Sequence, residues 1–166
     1  MQDYTWIFMY KKKQPLSYQE VLSKLMRYCG YQERSTFEVK QKMREYNLPQ
    51  DKATEILDLL IDDNFLSDER FAQLFVRGKV NVKRWGIYKL REGLGAKGVK
   101  SNLITEALKT IDWKAYNENL TYLIERKVEL QPDFKADISK LYRFLQSKGY
   151  EGDKITAALK AQKLMR

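Results

Sequence analysis

The stretch KLREGLGAKGVKSNLITEALK at residues 89–109 returns 51 positions later as KLYRFLQSKGYEGDKITAALK at residues 140–160. Ten of these 21 positions are identical, far more than unrelated segments share by chance. At the same offset, residues 39–57 match both stretches in hydrophobic character, and one threonine column runs through all three copies. Self-similarity at a fixed period is typical of repeat proteins, so we predict three copies of a unit of about 51 residues.

Each unit is predicted to contain three helices. In the third helix of the first unit, apolar residues stand at positions 53, 56, 57 and 60, which is the spacing of one helix face. The chain has only 8 glycines and 3 prolines, too few for a turn-rich β fold. The predicted fold class is therefore all-α. The nine predicted helices span residues 17–29, 35–46, 50–64, 67–82, 86–97, 101–111, 113–130, 133–148 and 152–163.

The boundaries of the units are placed between these helices. Residues 16–66, 67–111 and 112–166 are predicted to be three-helix repeats of one continuous domain, preceded by an N-terminal arm at residues 1–15. A repeat contacts mainly its neighbours, so we expect an elongated, curved array. The YTWIFMY of the arm is too short for a signal peptide and its positive charges follow it, so we interpret it as a frayed or loosely docked arm.

Residues suited to helix ends support these boundaries. Ser17 with Glu20 and Ser35 with Glu38 have the spacing of capping boxes, in which each side chain satisfies a free backbone N–H. The second helix of each unit is followed by a residue that tolerates the left-handed conformation. These three residues are Asn47, Gly98 and Gly149.

Two compositional facts restrict the chemistry. The chain has no histidine, which excludes Ser-His and Cys-His nucleophile pairs and His-ligated metals. Its one cysteine, Cys29, lies on an apolar helix face and is predicted to be a buried small hydrophobe. No apolar run approaches the ~18 residues of a membrane span. We expect a protein of the reducing cytoplasm, without a membrane association and without catalytic activity.

Charge is distributed unevenly along the chain. The net charge is +9, and residues 77–100 alone hold eight basic residues against Glu92, whereas residues 49–76 are net acidic. Lysine and arginine give sequence-independent affinity for phosphates, so the basic segment is the candidate contact surface. Trp85 is interpreted either as a stacking or docking residue or as a core residue behind a solvated face. The candidate contact residues are Arg77, Lys79, Lys83, Arg84, Trp85, Lys89, Arg91, Lys97 and Lys100.

Two other motifs carry weaker signals. The acidic residues around Asp62 and Asp63 lack the glycine-centred loop of a calcium site, and helix capping and solvation explain them. The glycines of residues 93–98 lack the Gly-Lys-Ser/Thr ending of a phosphate loop and are interpreted as helical residues that permit close approach. No metal and no cofactor are predicted.

The segment NFLSDERFAQLFVR at residues 64–77 resembles the hallmark segment of the RecX family, a turn leading into a helix that begins Asp-x-x-Phe-Ala. Downstream, KRWGIYKL at residues 83–90 and KGV at residues 97–99 resemble the next family segment. The resemblance covers roughly residues 16–165 and matches the family's three-helix units. Asn64 and Ser67 stand where glycine and aspartate are usual, both conservative for a turn and a cap.

The resemblance implies a non-enzymatic, monomeric regulator of the RecA recombinase in DNA repair. Such a protein binds RecA filaments on single-stranded DNA, contacts the DNA itself, and inhibits ATP hydrolysis, strand exchange and the coprotease activity of the SOS response. A stand-alone basic DNA-binding protein is the alternative, because three-helix units can also resemble helix-turn-helix modules. The residues Lys100-Ser101-Asn102 are a poor base-reading set for that alternative.

Overall fold

The structure is a computed structural model that describes residues 16–165, and all of its regular elements are helices. The N-terminal arm lies outside the described residues. Within them, no helix is long and apolar enough to cross a bilayer. The helices are α1 (Tyr18–Tyr31), α2 (Thr36–Arg44), α3 (Gln50–Asp62), α4 (Asp68–Lys83), α5 (Ile87–Ala96), α6 (Ser101–Lys109), α7 (Trp113–Leu130), α8 (Asp133–Ala136), α9 (Ile138–Ser147) and α10 (Gly152–Ala161).

One predicted helix is divided in the structure. The expected helix over residues 133–148 consists of the single turn α8 and the longer α9, with Asp137 between them. The Asp137 backbone leaves the helical region (φ −121°, ψ 86°), and its carboxylate accepts a hydrogen bond from the Lys140 N–H at 3.2 Å. A short polar side chain offers the backbone this alternative to a continuous helix. The prediction of one unbroken helix was wrong for that reason.

The other predicted helix ends lie within two residues of the observed ones. Both capping boxes form, with the hydroxyls of Ser17 and Ser35 accepting from backbone N–H groups three residues on. The left-handed positions after α2, α5 and α9 are occupied as expected, with φ of 50° at Asn47, 70° at Gly98 and 91° at Gly149. These local signals set where the second helix of each unit stops.

Among residues 16–165, the apolar side chains form two cores. The first unit (α1–α3) has a core of its own, whereas the second unit (α4–α6) and the third unit (α7–α10) share one continuous core. The core of the first unit contains Val21, Leu25, Cys29, Val39, Met43, Ile56, Leu60 and Leu66. The shared core is centred on the stripe Ala72, Val76 and Val80 of α4 and on the fully buried rings of Tyr116 and Tyr150.

Polar contacts join the first unit to the second. The Thr36 N–H at the start of α2 donates to the Asp68 carboxylate at 2.7 Å, so an acid at the start of α4 also caps α2. Arg70 Nε donates to Glu33 at 2.9 Å. Lys97 Nζ lies 2.7 Å from a carboxylate oxygen of Glu38. We call this boundary the first junction.

Backbone contacts join the second unit to the third, at what we call the second junction. The Gly86 N–H donates to the Lys148 carbonyl at 2.8 Å, and the Tyr88 N–H donates to the Gly149 carbonyl at 3.0 Å. A Cβ at Gly86 would lie 2.2 Å from the Gly149 carbonyl carbon, and a Cβ at Gly149 would lie 2.5 Å from the Lys89 nitrogen. Gly86 and Gly149 therefore permit this close approach of the backbones of the two units.

We expect Gly149→Ala to destabilise the fold by at least ~2 kcal/mol, because it adds a clash to a left-handed backbone. The matched control is Gly78→Ala in α4, where a Cβ would have no atom within 4 Å and alanine should stabilise the helix by ~1 kcal/mol. The free energy of unfolding of each variant is measured by urea unfolding followed by circular dichroism. Equal stabilities of the two variants would contradict this account of the second junction.

We expect the Cys29 thiol to be unreactive in the folded protein. The side chain is 5% exposed, and burial raises the pKa of the thiol to about 11. The thiolate is the reactive form, so a disulfide reagent at pH 8 should label the folded chain slowly and the urea-unfolded chain quickly. Labelling of the folded chain should accelerate only as the pH approaches that pKa. Rapid labelling at pH 8 without urea would be inconsistent with a closed first core.

Candidate nucleic-acid interface

The candidate residues surround a sharp corner between α4 and α5. Helix α4 ends at Lys83, and Arg84, the residue after it, adopts the left-handed conformation (φ 50°, ψ 48°). The Arg84 N–H donates to the Val80 carbonyl and the Trp85 N–H donates to the Lys79 carbonyl, both at 3.2 Å, which closes the last turn. The Arg84 guanidinium carbon lies 4.1 Å from the centre of the Tyr122 ring on α7. Arg84 therefore anchors the corner to the third unit through a cation–π contact.

The Trp85 ring is partly buried and lies between two lysines. The ammonium nitrogens of Lys79 and Lys89 lie 5.1 Å and 5.3 Å from its centre. Its edge packs against Phe75, with ring centres 6.1 Å apart. A Cβ at Gly93 would lie 2.8 Å from the Phe75 ring, so this glycine makes room for the aromatic pair. We call Phe75, Lys79, Trp85 and Lys89 the tryptophan cluster.

Lys89 also reaches across the second junction. Its Nζ donates to the carbonyl oxygen of Ser147 at 3.1 Å. Ser147 is the last residue of α9, and the carbonyls of a helix C-terminus carry partial negative charge. The third unit thus holds the side chain of this lysine in place.

The structure divides the remaining candidates among several sides of the second unit. Arg77 lines a cavity of about 600 Å³ together with Asn81, Thr110 and Asp112. Lys79 and Lys83 line a different cavity, of about 400 Å³, beside the first unit. In the described part of the chain, four candidates are solvent-exposed and take part in no ion pair. These four are Arg77, Lys83, Arg91 and Lys100.

Lys97 has a structural partner. It forms the ion pair of the first junction with Glu38, whose side chain is 15% exposed and also closes the capping box of α2. The basic segment of the sequence is therefore not one surface. It contains the four exposed residues, the tryptophan cluster, Arg84 packed on Tyr122, and Lys97 paired with Glu38 across the first junction.

A cation is paired with a ring near this corner in each unit, at equivalent repeat positions in the first two. The Arg34 guanidinium carbon lies 4.1 Å from the Tyr28 ring centre in the first unit, 51 positions before Trp85 and Lys79. The ring and the cation have exchanged places between these two units. In the third unit, Lys127 Nζ lies 4.5 Å from the Phe134 ring centre. An alignment of the units at the 51-residue offset places these two pairs at the same positions. A comparison of residue identities misses them, because the ring in one unit aligns with the cation in the other.

Sequence reasoning also missed the residues of the third unit that support the corner. The Ile87 N–H at the start of α5 donates to the Tyr116 hydroxyl at 2.9 Å, and that hydroxyl donates to Glu151. Burial raises the pKa of Tyr116 well above its ordinary value, so the hydroxyl keeps its proton. Asn119 donates to the Val80 carbonyl at 3.1 Å. Nothing in the spacing of these residues signals contacts with α4 and α5.

Similar proteins agree with this architecture. A family model described as RecX, second three-helix domain, matches residues 67–108, and RecX, third three-helix domain, matches residues 115–159. The Regulatory protein RecX of Clostridium botulinum (strain Eklund 17B / Type B) is 34% identical over 127 residues, which are 74% of this chain and 59% of the relative. The Regulatory protein RecX of Prosthecochloris aestuarii is 29% identical over 140 residues, which are 84% of this chain and 91% of the relative.

Solved structures give the same result. The crystal structure of RecX from Lactobacillus salivarius has a TM-score of 0.79 and 25% identity, and the match covers 89% of this chain and 97% of that one. Another structure, of a regulatory protein RecX, has a TM-score of 0.78 at 21% identity, covers 86% of this chain and 73% of that one, and supports the fold alone.

The fold and the corner define an all-α array of three-helix units. With the matches to its second and third units, the chain belongs to the RecX family. The predicted family and the predicted all-α repeat fold are thus confirmed. The chain spans 59% of the length of the Clostridium botulinum relative and 51% of a relative from Bacillus mycoides. The contact roles of the nine candidate residues stay a prediction.

The free energy of unfolding can distinguish Lys97, which has an ion-pair partner, from an exposed candidate that has none. We expect Lys97→Gln to lower the free energy of unfolding by ~1 kcal/mol, because it leaves the shielded Glu38 carboxylate without its partner. Lys83→Gln, which removes the same charge from an exposed position, should change it by less than ~0.5 kcal/mol. Urea unfolding curves measured at low salt compare them. An equal effect of both substitutions would contradict a stabilising role for the Lys97–Glu38 ion pair.

Proposed function

We propose that this chain is a non-enzymatic regulator of the RecA recombinase. It binds RecA filaments on single-stranded DNA and inhibits RecA ATP hydrolysis, strand exchange and the coprotease activity of the SOS response. The observation that carries the proposal is the match of the second and third units to RecX domains, in relatives named Regulatory protein RecX. We further propose that it acts in the cytoplasm as a monomer and without a cofactor.

The proposed mechanism is obstruction. A repeat array offers an extended surface, and such a surface fits along the groove of a helical filament and bridges its subunits. A bound array blocks filament extension or the conformational change that accompanies ATP hydrolysis. The rigidity of the shared core in the second and third units favours this role, because a stiff body resists movement of the subunits that it bridges.

The proposed DNA contacts belong to the exposed cations and the tryptophan cluster. Lys83, Arg91 and Lys100 are free to meet phosphates, and each phosphate that a lysine or arginine neutralises releases counterions. Arg77 lies on another side of α4 and is assigned to contact with the filament protein. Trp85 already has lysines over its ring, so we propose that it positions these cations and that base stacking is secondary.

The chemistry of the chain favours binding over catalysis. The chain has no histidine, and its single thiol is buried and held protonated by its raised pKa. In residues 16–165, no group of three or more His, Cys, Asp or Glu side chains could hold a metal ion. These facts support a role as a binding protein, in line with the regulatory name of its relatives.

The first experiment is RecA ATP hydrolysis on single-stranded DNA, with this protein added below the RecA stoichiometry. We expect inhibition at such low ratios, because obstruction at a few sites affects a whole filament. Simple competition for DNA requires enough protein to cover the strand. Salt-sensitive DNA binding without inhibition would reject the proposed function, and a stand-alone DNA-binding protein would take its place.

Charge reversal at a single exposed residue tests whether that residue belongs to the proposed contact surface. We expect Lys83→Glu to weaken both filament inhibition and DNA binding at low salt, because Lys83 is exposed and has no carboxylate partner among residues 16–165. Reversal of Arg84 or Lys89 should have the same effect but also disturbs the corner. Lys40→Glu in α2 is the control, since it changes the net charge equally at an exposed residue outside the candidate set. Equal inhibition by both variants would remove Lys83 from the interface.

A further inference from the structure

The two junctions use the same positions with different charges. Glu38 on α2 and Lys97 at the end of α5 form the ion pair of the first junction, 2.7 Å apart. A shift of 51 positions brings Glu38 onto Lys89 and Lys97 onto Lys148 at the second junction. An opposite-charge pair in one junction is therefore replaced by two lysines in the next.

Lys89 contacts the backbone on both sides of Lys148. A Cβ at Gly149, the residue after Lys148, would lie 2.5 Å from both the nitrogen and the Cβ of Lys89. The Lys89 Nζ donates to the carbonyl oxygen of Ser147, the residue before Lys148, at 3.1 Å. The backbone of Lys148 accepts from the Gly86 N–H at 2.8 Å. Lys148 thus stands in the segment on which Lys89 rests.

More positive charge surrounds this pair. Lys148 Nζ and Lys127 Nζ lie 5.5 Å and 4.8 Å from the centre of the Phe144 ring. On the other side, Lys79 shares the Trp85 ring with Lys89. Four lysines from two units therefore surround two aromatic rings at the second junction.

Nearby acids do not neutralise these lysines. Within residues 16–165, Lys79, Lys89, Lys127 and Lys148 have no carboxylate oxygen within 4.0 Å. Glu151 accepts its hydrogen bond from the Tyr116 hydroxyl, and Asp133 and Asp137 lie closest to Lys140, at 3.9 Å and 3.8 Å. Like charges held together raise the electrostatic energy of the fold, and a bound anion lowers it.

We infer that Lys89 and Lys148 at the second junction form a binding site for a backbone phosphate of single-stranded DNA. The inference rests on the proposed DNA binding and extends the contact surface into the third unit, beyond the basic segment of the sequence. Lysine binds phosphate as a point charge and needs no fixed geometry, so a flexible strand fits the site. The ammonium nitrogens of Lys89 and Lys148 lie 5.3 Å and 5.5 Å from the ring centres of Trp85 and Phe144, so each lysine has an aromatic neighbour beside the site.

The test is binding of a labelled oligothymidylate to the full chain, measured by fluorescence anisotropy at several salt concentrations. For single strands the salt slope falls by about 0.7 for each phosphate that the protein no longer neutralises. We expect Lys148→Gln to lower the slope by about 0.7. Lys148→Glu should lower the slope by no more than about 0.7, because the site holds one phosphate. It should weaken binding further at low salt, because the new carboxylate also pairs with Lys89 as Glu38 pairs with Lys97.

Two controls separate binding from folding and from net charge. Lys160→Gln removes one exposed charge from α10, away from both junctions in the sequence, and should leave the slope unchanged. Lys148→Glu should unfold in urea at the same concentration as the unaltered chain or a higher one, since it restores an opposite-charge pair. Weaker DNA binding by a variant of undiminished stability supports the site.

The remaining outcomes overturn the inference in distinguishable ways. A slope unchanged in both Lys148 variants overturns the phosphate site and leaves the proposed function intact. Unchanged DNA binding with weakened RecA inhibition also overturns it and assigns the junction to an acidic protein surface. No binding of the oligothymidylate by the unaltered chain overturns the DNA contact of the proposed function and the inference with it.

Discussion

The backbones of the second and third units meet at Gly86 and Gly149 without any side chain between them, and the rest of the structure depends on this approach. A Cβ at either position would lie within 2.5 Å of the other unit. The contact brings the N-terminus of α5 to the end of α9 and lets seven helices close over one core. It also sets Lys89 against the last carbonyl of α9. The basic corner therefore belongs to both units.

The first junction is of a different kind. The first unit has its own core and is joined to the second through the ion pairs Lys97–Glu38 and Arg70–Glu33 and through a carboxylate that caps α2. Screening by salt weakens such contacts, whereas it leaves an apolar core intact. This chain thus combines two units that share one core with a first unit that has its own core and is joined to them by polar contacts. For a protein proposed to lie along a filament, the two units that share a core support the contact surface and the first unit is held less tightly.

Whether a lysine at a junction forms an ion pair depends on the charge of the residue that the adjacent unit places next to it. Lys97 and Lys148 occupy the same position of the repeat, yet one meets Glu38 and the other stands beside Lys89. Similarly, the ring and the cation of the corner exchange places between Tyr28 with Arg34 and Trp85 with Lys79. Divergence of the repeats has thus preserved the cation–ring pair of the corner and altered the net charge of the junctions. This difference in charge is what separates a structural contact from a candidate binding site.

The sequence by itself determined the all-α class, the repeat, the family, the capping boxes and the left-handed residues after α2, α5 and α9. All of these arise from hydrogen bonds and packing within a few residues or from recurrence along the chain, which a sequence displays directly. Only the tertiary structure decided the anchoring of Arg84 on Tyr122 and the pairing of Lys97. Lys97 and Glu38 are 59 positions apart, and no local pattern links them. Charge is visible in the sequence, but its partner is chosen when separate helices pack together.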